Sequence, residues 1–205
     1  MNKIQKLLSR LATLGLLILA AVPGESLAAV SPIGLSVIPP AQIPSSDFSI
    51  TGVRASLFWG NHREVYGFDL GVLGNVTQGS FGGIAVAGVM NWNQGSATVV
   101  GLQAAGLANV NQNKTRVIGL QVAGILNSNS AESTLVGAGL ALVNLMPHTT
   151  VIGVQAGLYN SSREVYGFQF GLFNFTESLH GVQLGLLNFN KTGLFSVAPF
   201  LNIGF

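Results

Sequence analysis

Gly119-Leu-Gln-Val-Ala-Gly-Ile-Leu-Asn127 is one copy of a phrase that the chain keeps repeating. It returns as Gly101-Leu-Gln-Ala-Ala-Gly-Leu-Ala-Asn109, Gly153-Val-Gln-Ala-Gly-Leu-Tyr-Asn160, Gly167-Phe-Gln-Phe-Gly-Leu-Phe-Asn174 and Gly181-Val-Gln-Leu-Gly-Leu-Leu-Asn188. Looser copies open at Gly67, Gly83 and Gly137, the first with Asp69 in place of the Gln and the last two without it. Self-similarity on this scale decides the architecture before any single residue does. Inside a copy the period is two. Gly181, Gln183 and Gly185 share one side, and Val182, Leu184 and Leu186 the other, which is the pattern of a strand. Between copies stand turn formers such as Asn111-Gln-Asn-Lys114, Asn127-Ser-Asn-Ser130 and Pro147-His148. From Gly101 to Gly181 the opening glycine advances by 18, 18, 16, 14 and 14 residues. All steps are even, so the two faces never exchange.

Composition narrows the class. Only 8% of the 205 residues are charged, against about 25% in an ordinary soluble domain. There is no cysteine, so disulfides and thiolate metal sites are excluded. The net charge is +2, and three of the basic residues lie in the first ten, so no nucleic-acid footprint follows. Those three, Lys3, Lys6 and Arg10, precede the uncharged apolar run Leu11 to Val22, then Pro23-Gly24 and Ser26-Leu-Ala28. This order predicts a secretory signal peptide over 1–28 and export of the remainder. Residues 29–46 hold Pro32, Pro39, Pro40 and Pro44 and read as an extended linker. A single repeat-built β domain is expected over 47–205.

About ten strands are expected in it, near 48–59, 63–74, 80–91, 97–109, 115–127, 133–144, 149–160, 163–174, 179–189 and 194–205. The favoured arrangement is an antiparallel meander closed into an outer-membrane-type β-barrel, apolar side chains to lipid and the Gly/Gln face inward. Strand length, an even strand number, Trp and Tyr near strand ends, and the alternating last strand Val197, Pro199, Leu201, Ile203, Phe205 all fit it. The alternative is a β-solenoid of 14–18-residue repeats, with Val and Leu inside, Gly and Gln outside and Asn ladders at the corners.

The repeats from Val53 to Phe205, with the opening Val65-Tyr-Gly-Phe-Asp-Leu-Gly71 and the closing Pro199-Phe-Leu-Asn-Ile-Gly-Phe205, resemble those of the bacterial surface-repeat proteins. That family consists of exported chains built from Gly-x-Gln-x-Gly-Leu-x-Asn units. The resemblance implies a place in the outer membrane or at the cell surface of a Gram-negative-type bacterium, more than it implies a mechanism.

Candidate functional residues are few. Asp69 stands where other copies carry Gln, on the small-polar face, and Arg54 on the preceding strand is its natural partner, since a buried charge needs one. Phe205 is the candidate assembly signal, ending the strand that closes the barrel against the strand near Phe48 to Trp59. His62, His148 and His180 each lie in or beside a turn without metal-ligand spacing. No acid, base and nucleophile set can be assembled. Arg63-Glu-Val-Tyr-Gly-Phe68 recurs word for word as Arg163 to Phe168. The sequence therefore predicts a non-enzymatic exported β-repeat protein without cofactor. Its role is structural or that of a small pore, and its partners are outer-membrane lipid and the membrane assembly machinery. The alternative is a surface interaction module presenting its turns to a partner.

Overall fold

The computed structural model describes residues 29–193 and 195–205, so the predicted signal peptide lies outside the described residues. In chain order the strands are β1 (Val30–Ile38), β2 (Ala41–Ile43), β3 (Ser49–Ser56), β4 (Trp59–His62), β5 (Glu64–Gly71), β6 (Gly74–Thr77), β7 (Phe81–Ala87), β8 (Met90–Asn93), β9 (Ala97–Ala105), β10 (Ala108–Asn111), β11 (Thr115–Ala123), β12 (Leu126–Asn129), β13 (Ser133–Leu140), β14 (Val143–Ala156), β15 (Tyr159–Phe170), β16 (Phe173–Asn190) and β17 (Val197–Gly204). They wind into a β-solenoid of about ten turns.

Parallel, in-register pairing makes it so. Gly101, Gly119, Gly137, Gly153, Gly167 and Gly181 are successive partners, coil upon coil. So are Asn91, Asn109, Asn127, Asn144, Asn160 and Asn174. A coil is a long strand, a corner and a short strand: β11 bends at Gly124-Ile125 into β12, and residues 130–132 close the turn. Among the described residues, antiparallel pairs occur only at the two ends, β1 with β2 and β16 with β17. The closed antiparallel barrel is thereby ruled out. Each of the first nine segments expected as a barrel strand is instead most of one coil. Its Gly-apolar pair, expected inside a strand, forms the corner.

The shrinking repeat length does not prevent stacking, because most of the change falls in the closing turn. Seven residues separate Asn129 from Gly137, but only four separate Ser162 from Gly167. The glycines that open the copies must be glycine. Gly153 has φ 134, and a Cβ there would run into the carbonyl oxygen of Gly137 on the coil below.

The interior corrects the solenoid alternative as well, since its faces are reversed. Gln103, Gln121, Gln155, Gln169 and Gln183 are fully buried, while Leu184 and Leu186 are exposed. A central apolar cluster runs from coil to coil through Ile50, Val65, Phe81, Val99, Val117, Leu135, Val151, Val165 and Leu179, with Ala85, Ala97 and Met146 beside it. Much of the rest of the interior is Asn and Gln amide, with Ser and Thr hydroxyls and small alanines beside it. An amide is buried at little cost only where its donors and acceptors are matched, and in-register stacking matches them by repetition. Asn127 Nδ2 donates to Asn144 Oδ1 at 3.0 Å, and to the carbonyls of Gln121 and Leu140 at the same distance. The ladder runs unbroken from Asn75 to Asn188 in seven side-chain bonds of 2.8–3.0 Å.

Both ends depart from expectation. The segment expected as a linker carries β1 and β2, and β1 lies parallel against β3 as part of the stack. At the other end β17 folds back on β16 instead of pairing with the first strand, so there is no closing seam. Asn202 Nδ2 donates to Gln183 Oε1 at 3.2 Å and so terminates the Gln column.

Candidate functional site

The surface is built from the residues that the amide core pushes outward. At the Gly-apolar corner the second residue points away from the axis in coil after coil: Phe58, Leu73, Val89, Leu107, Ile125, Leu142, Leu158, Leu172 and Leu186. These form a ridge. Leu107 is 47% exposed, Leu142 49% and Leu158 52%.

Both flanks of the ridge are apolar too. On the long-strand side two outward columns run beside it, Leu120-Ala138-Val154-Phe168-Val182 and Val122-Leu140-Ala156-Phe170-Leu184. On the short-strand side Met90, Ala108, Leu126, Val143, Tyr159 and Phe173 stack in register. None of these columns contains a charged residue. A contiguous apolar area of this extent marks an interaction surface in a folded protein.

Charge is confined to the opposite edge, where the coils close. Among the described residues, every Lys, Arg, Asp and Glu except Arg54 and Asp69 lies in a closing turn or next to one. Five cations, Arg63, Lys114, Arg116, Arg163 and Lys191, and five anions, Asp47, Glu64, Glu132, Glu164 and Glu177, share this edge. Arg163 pairs with Glu132 at 3.2 Å, and Lys191 with Glu177 at 3.3 Å. Such exposed pairs contribute little to stability.

The structure brings Arg54 and Asp69 together. Arg54 Nε donates to Asp69 Oδ1 at 2.7 Å and Nη2 to Oδ2 at 2.6 Å, and both side chains are fully buried. Arg54 Nη1 also reaches the Val76 carbonyl at 2.7 Å. The pair occupies early rungs of the column that carries Gln at 103, 121, 155, 169 and 183, with Gly139 between the second and third of these. It is thus part of the packed interior, and the charged pore constriction that a barrel would have given it does not exist.

Phe205 follows β17 and is wholly exposed. The three histidines do not converge. His148 is exposed, and His180 stacks on Tyr166 at 4.5 Å between ring centres. His62 is buried, with Nε2 3.2 Å from the Pro44 carbonyl and Nδ1 unpartnered. Burial, with the Arg54 charge nearby, lowers its pKa to about 4, against a smaller opposing effect of the Pro44 contact. Among the described residues no cluster of His, Asp and Glu is arranged to hold a metal.

One groove of about 800 Å3 lies at the N-terminal end, walled by Leu35, Val37, Ile43, Leu57, Leu70 and Val72. It is continuous with the ridge, since Leu57 and Val72 precede the ridge residues Phe58 and Leu73. No helix among the described residues is long and apolar enough to cross a membrane. Compared with known proteins, the chain matches no family model, no curated protein and no solved structure.

Sequence reasoning found the charge pair and missed the ridge. Its signal was on the page, as the Gly-Leu or Gly-Ile step at a fixed place after the Gln. In the sequence alone that step reads as two more residues of a strand.

Proposed function

We propose that this protein is a non-catalytic interaction module, a β-solenoid rod that docks along its apolar ridge. One observation carries the proposal: nine successive coils put an uncharged apolar side chain at the same corner, exposed in all of them but the half-buried Val89. A merely structural coil could carry Ser, Thr or Lys there at no cost to its core. The turns are weaker candidates for the docking surface. They differ in length from coil to coil, and their charges balance one another. The location proposed with it is extracytoplasmic, at a bacterial cell surface. Support comes from the basic and apolar order of Lys3 to Val22 and from the resemblance of the repeats to the surface-repeat proteins.

The docking surface is tested by titrating the full chain with an apolar fluorescent dye. Wild type should bind many dye molecules, and Leu107→Lys/Leu142→Lys/Leu172→Lys, with an unchanged circular-dichroism spectrum, markedly fewer. Equal dye binding by the two would remove the ridge as the docking surface. Fractionation of expressing cells tests the location, and recovery of uncleaved chain in the cytoplasm would contradict it.

A further inference from the structure

We infer that the partner of the ridge is the hydrocarbon of one bilayer leaflet, into which the rod sinks side-on with its charged edge in water. The inference rests on the docking role proposed above and supplies its partner.

Shape is the first argument. The apolar surface is convex, a ridge with two sloping flanks. A flat protein partner covers one flank and leaves the ridge and the other flank wet. A fluid leaflet closes around a wedge on all sides. Dimensions agree. Coils repeat every ~4.8 Å, so ten of them make a rod about 48 Å long lying in the membrane plane. From Leu140 beside the ridge to Thr134 at the polar edge is six residues, about 20 Å along a sloping strand. The hydrocarbon of a single leaflet is about 15 Å deep.

Backbone chemistry is the second argument. Polar backbone groups enter hydrocarbon only when they are already paired. At Phe58, Val89, Leu107, Ile125, Leu158 and Leu172 the ridge N–H groups are, coil to coil: Leu107 N–H to the Val89 carbonyl at 2.9 Å and Ile125 N–H to that of Leu107 at 2.9 Å. Unlike a single sheet, the solenoid side offers no free strand edge to lipid.

The third argument is the border between the two surfaces. Tyr66 and Tyr166, both exposed, sit one outward position from Glu64 and Glu164. Amphipathic rings at the limit of an apolar surface are what a membrane–water interface selects. The balanced charges of the edge make the binding apolar, so it should respond weakly to anionic lipid and to salt.

The chain has no cysteine, so single cysteines can be labelled uniquely. The experiment places the fluorophore NBD at Leu142→Cys or Leu158→Cys on the ridge, and at Ser130→Cys on the charged edge, in the full chain. Phosphatidylcholine vesicles are added with a quencher either on the acyl chain or, as iodide, in the water. Insertion brightens and blue-shifts both ridge labels. They are then quenched from the acyl chain and not by iodide, while the Ser130→Cys label behaves in the opposite way. Co-flotation with vesicles while the ridge labels stay open to iodide would overturn the inference, because another segment then holds the lipid. Ridge labels shielded without vesicles, in proportion to protein concentration, would also overturn it. The occupant would then be a second copy of the chain, and the docking role would stand. Labels open to iodide under every condition would overturn the inference, while the docking role would still be decided by the dye titration.

Discussion

Asn144→Leu probes the amide interior at its middle. Asn144 is fully buried. Its Nδ2 donates to Asn160 Oδ1 at 2.8 Å and to the Ala156 carbonyl at 2.9 Å, and its Oδ1 accepts from Asn127 Nδ2 at 3.0 Å. Leucine has similar bulk and removes all three bonds. The Ala156 carbonyl keeps the Ala141 N–H, and Asn127 keeps two carbonyl acceptors, but Asn160 Oδ1 is left without a donor. Three bonds at about 1 kcal/mol each, with one orphaned buried acceptor, place the loss at about 3–5 kcal/mol. Asn144→Asp should cost more at neutral pH, since a carboxylate then faces two oxygens, and should recover as acid protonates it. On the ridge, Leu142→Asn should cost less than about 1 kcal/mol. Urea denaturation followed by circular dichroism measures all three. If Asn144→Leu matched the parent within about 0.5 kcal/mol while Leu142→Asn was the damaging change, the polar interior would be refuted.

Three further outcomes follow from the same geometry. Gly153→Ala forces a Cβ against the Gly137 carbonyl at φ 134, whereas a Cβ at Gly101 meets nothing nearer than 3.5 Å. Gly153→Ala should therefore lower the urea midpoint well below that of Gly101→Ala, and equal midpoints would contradict the register. Asp69→Asn leaves the Arg54 cation buried without its anion and should cost about 3–5 kcal/mol. Converting both to Gln, the residue of the later rungs, should cost less than the single change, which a double-mutant cycle reads directly. His62 has its folded pKa at about 4, below its unfolded value of 6.5. The unfolded chain therefore binds the extra proton, and the His62 contribution is full above pH 6.5 and is lost as pH falls towards 4. Against His62→Gln, the wild type should lose an additional amount on the order of 2–3 kcal/mol across that window; parallel stability curves would show that His62 does not titrate in this way.

The repeat made β structure legible, and the even steps of the opening glycine made two constant faces legible. Period two says that there are two faces, but it does not say which one is wet. Val, Leu and Phe on one side and Gln, Gly and Asp on the other suit a barrel in lipid, and they suit equally a solenoid turned inside out. The choice lay in the amides. Asn109, Asn127, Asn144, Asn160, Asn174 and Asn188 recur at one place in the phrase, and stacking lets each serve as donor and acceptor to the next. Placing them at solvent-facing corners misses that stacked amides, each donor and acceptor at once, can fill a narrow parallel interior. Arg54 and Asp69 were legible as a pair because a charge in the Gln column needs a counter-charge. The pore around them was not there to be read. Pro32, Pro39, Pro40 and Pro44 obscured β1 and β2, since proline argues against strands in a sheet interior. At the first coil the same segment lies at the end of the stack, where the penalty is relaxed.

The stacking of coils is the central claim, and distances along the ridge test it most directly. Spin labels are placed on cysteine pairs Leu107/Leu142, Leu107/Leu186 and Leu73/Leu186, two, five and seven coils apart, and measured by pulsed electron resonance. A parallel solenoid requires separations that grow linearly by ~4.8 Å per coil, about 10, 24 and 34 Å before allowance for the label arms. Separations that rise and then fall, as they do around a closed barrel of limited diameter, would contradict it.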